Sequence, residues 1–196
     1  MKQLTVLMII VLFIFLISNF VRKSIYLTKV VSSVDGRAYL VRKLPDKQVA
    51  ADRLATLAQN LKRVIQQCAA KSSDAEAVKR LESNFKGDTI IEHMPGNTYV
   101  SHSVNKGQEL SICVRDKGSN AFIDPNTVMF VALHELAHVM SVSTGHTPEF
   151  WANMKYLLEC GSDIGVYQPV DYSKTPVMFC GMEINSTPMD FGKSSE

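Results

Sequence analysis

The sequence predicts an α+β domain preceded by one apolar helix. Three observations predict this arrangement: an uncharged apolar run near the amino terminus, helical periodicity in several later segments, and short alternating segments between them. With 196 residues, the chain has room for one such domain and a short additional segment. We expect two helices, a small sheet with a β-hairpin, two further helices and an irregular carboxyl-terminal tail.

The apolar run near the amino terminus has the length of a membrane span. Nineteen uncharged residues separate Lys2 from Arg22, and as a helix they would cover about 28 Å, which just crosses a bilayer core. A cleaved signal peptide is the main alternative, but a small-x-small cleavage pattern is missing after the run. The sequence therefore predicts a transmembrane anchor over 1–21, a basic juxtamembrane linker over 22–45 and a folded domain over 46–196.

The charges are divided unevenly between these parts. Residues 1–45 have a net charge of +6, whereas residues 46–196 have a net charge of −4. Because basic residues follow the apolar run, the positive-inside tendency predicts a single-pass membrane protein with a cytosolic carboxyl-terminal domain. The basic collar beside the run suits anionic lipid headgroups. The acidic domain predicts no nucleic-acid partner.

The first elements of the domain are predicted from periodicity. A helix over 47–70 has an apolar stripe at helical spacing, and a capping box over 73–76 begins a shorter helix. Strands are predicted over 89–92, 98–104 and 109–115, and the last two flank a polar turn as a hairpin.

The motif His134-Glu135-Leu136-Ala137-His138 indicates metal chemistry on the next helix. Side chains at positions i and i+4 of a helix lie one above the other, so both imidazoles can reach the same ion. Zinc accepts imidazole ligands at about 2.0–2.1 Å and can keep one position open for water. Glu135 is placed to take a proton from that water as general base. Two histidines packed in a core helix are the alternative.

A catalytic zinc needs a third protein ligand, and His146 is the candidate. Gly145 can adopt the left-handed conformation that ends a helix, and Thr147-Pro148 provides the N-cap and first residue of a new helix. A solvated loop histidine is the alternative. Glu149 and Glu159 compete for the ligand role, but the helix dipole explains Glu149 and an exposed ion pair with a lysine explains Glu159.

The four cysteines are widely spaced and form no C-x-x-C motif. We predict buried or half-buried thiols rather than metal ligands or a disulfide framework, which agrees with a reducing compartment. They are Cys68, Cys113, Cys160 and Cys180.

The metal motif, His146 and the following Phe150-Trp151 resemble the WLM family, which is related to the SprT-like and Wss1-type metallopeptidases. The order of helices, hairpin, metal helix and second helix is similar too, over about 46–185. The resemblance implies a zincin-like fold, zinc as cofactor, His134, His138 and His146 as its ligands, and Glu135 as general base. Segments 171–173 and 180–182 look similar to uncharacterised WLM-like proteins of large DNA viruses.

These features predict a membrane-anchored zinc metalloendopeptidase. Its expected partners are a protein or peptide substrate near a membrane surface and, through the apolar helix and basic collar, membrane lipid. The strand over 109–115 is expected beside the metal helix with an unpaired edge for a substrate backbone, or else as an ordinary strand of the sheet. Tyr172 is the candidate second donor to the oxyanion, with a packing tyrosine as the alternative.

Two other functions remain open. One is a structural membrane protein, for example in the internal membrane of a virion, that retains a peptidase fold; the intact Glu135 argues against it. The other is a DNA–protein crosslink protease, which is the activity of Wss1-type enzymes. The chain differs from those enzymes in its apolar run, its acidic domain and its lack of a long tail with DNA or partner motifs.

Overall fold

Five helices and seven strands are found in the described residues of the computed structural model, which are 2–71, 75–85, 87, 89–95, 101–104 and 109–191. Residues 73–74 of the predicted capping box, residues 98–100 of the strand predicted over 98–104 and the predicted hairpin turn lie outside these residues. In chain order the elements are α1 (Lys2–Tyr26), β1 (Leu27–Val31), β2 (Ala38–Arg42), α2 (Lys47–Lys71), α3 (Ala75–Asn84), β3 (Ile90–Glu92), β4 (His102–Val104), β5 (Glu109–Ile112), α4 (Pro125–Met140), α5 (Pro148–Asp163), β6 (Val177–Phe179) and β7 (Met182–Ile184).

The main sheet has five strands in the order β1-β2-β3-β5-β4. The outer pairs, β1 with β2 and β4 with β5, are antiparallel, and β3 pairs parallel with both β2 and β5. The prediction that the strand over 109–115 has an unpaired edge is therefore wrong, because β5 lies between β3 and β4. Among the described strands, β4 occupies that edge of the sheet.

Helices pack on this sheet and on one another. The apolar stripe of α2 is buried, and Leu54, Leu61, Val64 and Cys68 are fully inaccessible to solvent, as the helical spacing predicts. α2 contacts β2 and α5, while α4 contacts α3, α5 and β5. The α+β class and the order of the central helices and strands are confirmed.

Residues 22–45 differ from the predicted linker because they contain β1 and β2. Leu27, Tyr39 and Val41 from these strands are buried, with 3, 2 and 0% of their surfaces exposed. Buried and more exposed residues alternate along β2, but the linker was predicted from the basic composition of the whole segment. The folded domain therefore begins well before residue 46.

The predicted transmembrane helix is wrong, and so is the predicted single-pass membrane localisation. Among the described residues, no helix combines the length and the apolarity that crossing a membrane requires. The prediction rested on the absence of charged residues between Lys2 and Arg22, a run that also contains the polar residues Thr5, Ser18 and Asn19. The end of α1 is also tied to the domain, since Lys23 Nζ donates to the Glu109 carboxylate at 2.6 and 2.8 Å.

The carboxyl-terminal tail contains a hairpin that the sequence did not predict. β6 and β7 pair antiparallel around Cys180-Gly181, whose φ angles of 54° and 86° suit a two-residue hairpin turn. Cys180 forms a disulfide with Cys113, 67 residues away. The prediction of thiols is wrong for this pair, so these two cysteines no longer support the argument for a reducing compartment. Cys68 and Cys160 are buried thiols, as predicted.

Candidate metal centre

The metal motif lies on α4, a helix that is buried on nearly all sides. Asp124 caps it by accepting a hydrogen bond from Thr127 N at 2.9 Å, and Pro125 is its first residue, as the cap-then-proline pattern predicts. After the first turn, every α4 residue is buried except His134 and His138, which are partly exposed. The side chains of His134 and His138 are therefore the part of α4 beyond its first turn that solvent can reach.

The loop after α4 is held by a carboxylate. The helix ends at Met140, before Gly145, whose φ of +81° places its left-handed conformation within the loop. The Glu149 carboxylate accepts hydrogen bonds from Val142 N at 2.9 Å, Ser143 N at 3.0 Å and Ser143 Oγ at 2.6 Å. These bonds, with that from the Ser143 hydroxyl the largest cause, lower the pKa of Glu149 to about 2. Glu149 therefore serves as the anchor of this loop.

The start of α5 fixes the other side of the same loop. Thr147 caps α5 by accepting from Phe150 N at 3.3 Å, and its hydroxyl is 2.6 Å from the Ser143 hydroxyl. His146 directly precedes this cap. The backbone on both sides of His146 is therefore held by hydrogen bonds, which makes the loop a firm mount for a ligand.

The three predicted ligands converge on one point. His134, His138 and His146 each offer a ring nitrogen, and these nitrogens all lie within 4.8 Å of one another. The Nε2 atoms of His134 and His146 are 3.1 Å apart, and the three ring centroids are separated by 4.9–5.0 Å. Two nitrogens bound to one tetrahedral zinc would be about 3.4 Å apart. The spacing therefore fits a single ion.

Phe150 supports all three imidazoles from beneath. Its side chain is fully buried, and its ring centroid lies 4.8 Å from His134, 4.3 Å from His138 and 4.7 Å from His146. Phe150 was part of the family resemblance noted in the sequence, with no predicted role beside the ligands. The signal in the sequence that could have indicated this role was the position of Phe150, four residues after the third ligand. Trp151 lies beside His146 at 5.5 Å and is 38% exposed.

Burial keeps the imidazoles in the form that binds metals. Desolvation is the largest cause that lowers the pKa of His134 to about 3, and the charges of His138 and His146 lower it further. Desolvation also lowers the pKa of His138, with His146 as the second cause. A neutral imidazole is the metal-ligating species. In the folded protein these two rings are therefore neutral near pH 7.

The other predicted site residues lie in different surroundings. Glu135 is buried, with 7% of its surface exposed, and is not one of the clustered donors among the described residues. The structure does not bring Tyr172 to the imidazoles: it is 1% exposed and packs on Phe130, one turn before the motif, at 4.6 Å. Burial raises the pKa of Tyr172. Glu159 is exposed on α5, and its neighbour Lys155 forms an ion pair with Asp190.

Comparison with protein families and known sequences gives matches over most of the chain. The family model of the WLM domain matches residues 34–168. An uncharacterised protein of Acanthamoeba polyphaga mimivirus is 30% identical over 158 residues, which cover 79% of this chain and 80% of that protein. An uncharacterised protein of Invertebrate iridescent virus 3 is 42% identical over 69 residues, which cover 35% of this chain and 43% of that protein.

Two solved structures, both of Wss1 from Saccharomyces cerevisiae, have a similar fold. A mutant form superposes with a TM-score of 0.50 and 19% identity, over 63% of this chain and 87% of that chain. The other form gives a TM-score of 0.48 and 20% identity, over 63% of this chain and 86% of that chain. At this level of identity, the likeness to the mutant form concerns the α+β fold.

Proposed function

Because the chain belongs to the WLM domain family, we propose that it is a zinc-dependent endopeptidase. One observation carries the proposal: three imidazole nitrogens lie within 4.8 Å of one another, and two of them are on a helix that also bears Glu135 beside the first ligand. A purely structural site would not need a carboxylate at that position. Family membership, established over residues 34–168, supports the same conclusion.

The residues fit a zinc ion by their chemistry and their number. Three neutral imidazoles form one of the ligand sets of catalytic zinc sites, which leave a fourth position open. Burial on α4 and the aromatic floor formed by Phe150 fix the rings. The Glu149 carboxylate fixes the loop that carries His146. Such supporting contacts orient the ligands before the metal arrives.

Held by His134, His138 and His146, a zinc ion would supply Lewis-acid chemistry and would lower the pKa of a bound water toward about 7. Glu135, next to the first ligand, accepts the proton from the attacking water and passes it to the leaving amine. Glu135 is 7% exposed, so little bulk water reaches this side chain. The substrate backbone pairs with the edge of β4, a strand that contacts α4, by strand addition to the sheet.

The test uses the full chain, because β1 and β2 belong to the sheet. Bound zinc and cleavage of casein are measured for the wild type, Glu135→Gln and the matched control Glu159→Gln on the exposed face of α5. Glu135→Gln keeps the zinc and lowers kcat/KM by about 10²–10⁴-fold, whereas Glu159→Gln retains wild-type activity. His138→Gln loses the zinc.

The same assay separates the other functions. A wild type that binds zinc, is folded and cleaves no protein would refute the peptidase and favour a structural role. Addition of single-stranded DNA distinguishes a DNA–protein crosslink protease, whose activity would depend on DNA. We expect cleavage without DNA, because residues 46–196 have a net charge of −4.

A further inference from the structure

A second group of metal-ligating side chains lies on elements that the proposed catalytic centre does not use. His93 follows β3, Cys113 follows β5 and Cys180 occupies the turn between β6 and β7. Each offers one donor atom, and the three donors lie within 4.8 Å of one another. All three side chains are buried, with 4, 2 and 1% of their surfaces exposed. Cys113 and Cys180 can form a disulfide, and together with His93 the same two sulfurs can also form a set of metal ligands.

The sheet register brings the first two donors together. β3 and β5 run parallel with Glu92 opposite Ile112, and His93 N donates to the Ile112 carbonyl at 2.9 Å. His93 and Cys113 are therefore at neighbouring positions just beyond the two strands. Cys180 reaches them from the β6–β7 turn, with its Cα 6.2 Å from that of Cys113. The backbone alone thus fixes the approach of all three residues.

The surroundings have room for an ion and charges that favour thiolates. A cavity of about 150 Å³ is lined by all three residues, by the cations Arg42, Arg115 and Lys117, and by the Glu92 carboxylate, which pairs with Arg115. A water molecule takes about 30 Å³ of liquid, so an ion with a water ligand fits in this volume. Nearby cations stabilise the anionic thiolates that act as metal ligands.

We propose that His93, Cys113 and Cys180 form a redox-gated metal site for a borderline or soft divalent ion such as Zn²⁺. In the oxidised protein the two sulfurs are joined as a disulfide. A dithiol reductant transfers two electrons and two protons to that bond, becomes a disulfide itself and leaves two protein thiols. Binding of the ion then releases both thiol protons to water, and the imidazole of His93 supplies the third ligand.

The change between the two states is small. Zinc–sulfur bonds of about 2.3 Å at a tetrahedral angle place two sulfurs about 3.8 Å apart. Side-chain rotation separates the sulfurs by this amount without moving the Cα atoms. In both states the β6–β7 hairpin is fastened to the main sheet, by a covalent bond when oxidised and by a shared ion when reduced. The site therefore keeps the hairpin in place in either redox environment.

Cobalt provides a test that does not depend on peptidase activity. Full-length protein is titrated with Co²⁺ before and after reduction by a phosphine, which donates two electrons to the disulfide and becomes a phosphine oxide, while water supplies the oxygen and the two thiol protons. Thiolate-to-Co²⁺ charge-transfer absorption reports only on cysteine ligands, so the three-imidazole centre is silent in this band. We expect no band in the oxidised protein and one equivalent of thiolate-bound cobalt in the reduced protein.

Variants separate the site from other effects of reduction. His93→Ala keeps the disulfide and, once reduced, binds cobalt at least tenfold more weakly. Cys180→Ser gives no band in either state, whereas Cys68→Ser, at a different buried thiol, keeps the full band. Any of three outcomes would overturn the proposal. The band could be absent from the reduced wild type, it could survive in Cys180→Ser, or the reduced protein could be unfolded even when cobalt is present. Failure of the catalytic centre would instead leave the band intact and remove the other equivalent of metal.

Discussion

Replacement of Phe150 by leucine tests whether the aromatic floor beneath the imidazoles determines metal affinity. The Phe150 ring is fully buried and contacts all three candidate ligands, with centroid distances of 4.3–4.8 Å. Leucine has a similar volume, so the core remains filled. The three ring contacts are lost, and the imidazoles gain freedom to rotate away from a shared ion.

The magnitudes separate the effect on metal binding from the effect on folding. A volume-conserving apolar exchange in a core costs less than about 1.5 kcal/mol, whereas Phe150→Ala would cost about 3–5 kcal/mol and threaten a stability of about 5–15 kcal/mol. Loss of contacts that orient metal ligands lowers metal affinity by about 10–100-fold. We therefore expect Phe150→Leu to fold and to bind zinc about 10–100-fold more weakly.

Competition with a chromogenic chelator gives the zinc dissociation constant, and urea unfolding of the metal-free protein gives the stability. Phe85→Leu is the matched control, because Phe85 is also buried but follows α3 rather than facing the ligands. A zinc affinity in Phe150→Leu equal to that of Phe85→Leu would refute the role of the floor. It would also mean that burial of α4 alone orients the rings.

Three further predictions concern the loop, the sheet and pH. Glu149→Gln removes one acceptor from the loop that carries His146, so zinc affinity falls by about tenfold, measured by the same chelator competition. Arg115→Met leaves Glu92 buried without its guanidinium partner, and urea unfolding should show a loss of about 3–5 kcal/mol in the free energy of unfolding. The control Lys174→Met, which removes an exposed lysine from its pair with Asp171, should change that free energy by less than about 1 kcal/mol. In metal-free protein the pKa of His134 is about 3 when folded and 6.5 when unfolded, so between these values only the unfolded chain binds the proton. The free energy of unfolding therefore falls as pH decreases from 6.5 toward 5, and a flat profile in that range, equal to that of His134→Gln, would contradict the assignment.

The candidate centre could be predicted because its information is local in the sequence. The spacing of His134 and His138 determines one helix face, and Asp124 and Thr147 provide the caps that the structure shows for α4 and α5. Local signals of this kind depend on helix geometry rather than on distant contacts. The supporting role of Phe150 was missed because packing against three rings depends on how α5 lies on α4.

Two of the errors concern features that depend on distant parts of the chain. β1 and β2 are only five residues long and each contains one basic residue, and only their place in the sheet buries Leu27 and Val41. The disulfide joins residues 67 positions apart, and cysteine spacing alone does not predict connectivity. The predicted membrane span rested on the absence of charged residues from the run in α1, and no described helix has the length and apolarity of a span.

The two candidate metal sites should respond differently to local unfolding. The imidazole ligands all lie between residues 134 and 146, on one helix and the loop that follows it, so closing that site requires little chain ordering. The other group spans residues 93 to 180 and exists only when β3, β5 and the β6–β7 hairpin are all in place. Moderate denaturant should therefore release the thiolate-bound ion while the imidazole-bound ion remains. Hydrogen exchange would show the hairpin amides opening at a lower free energy than those of α4, which is enclosed on nearly all sides.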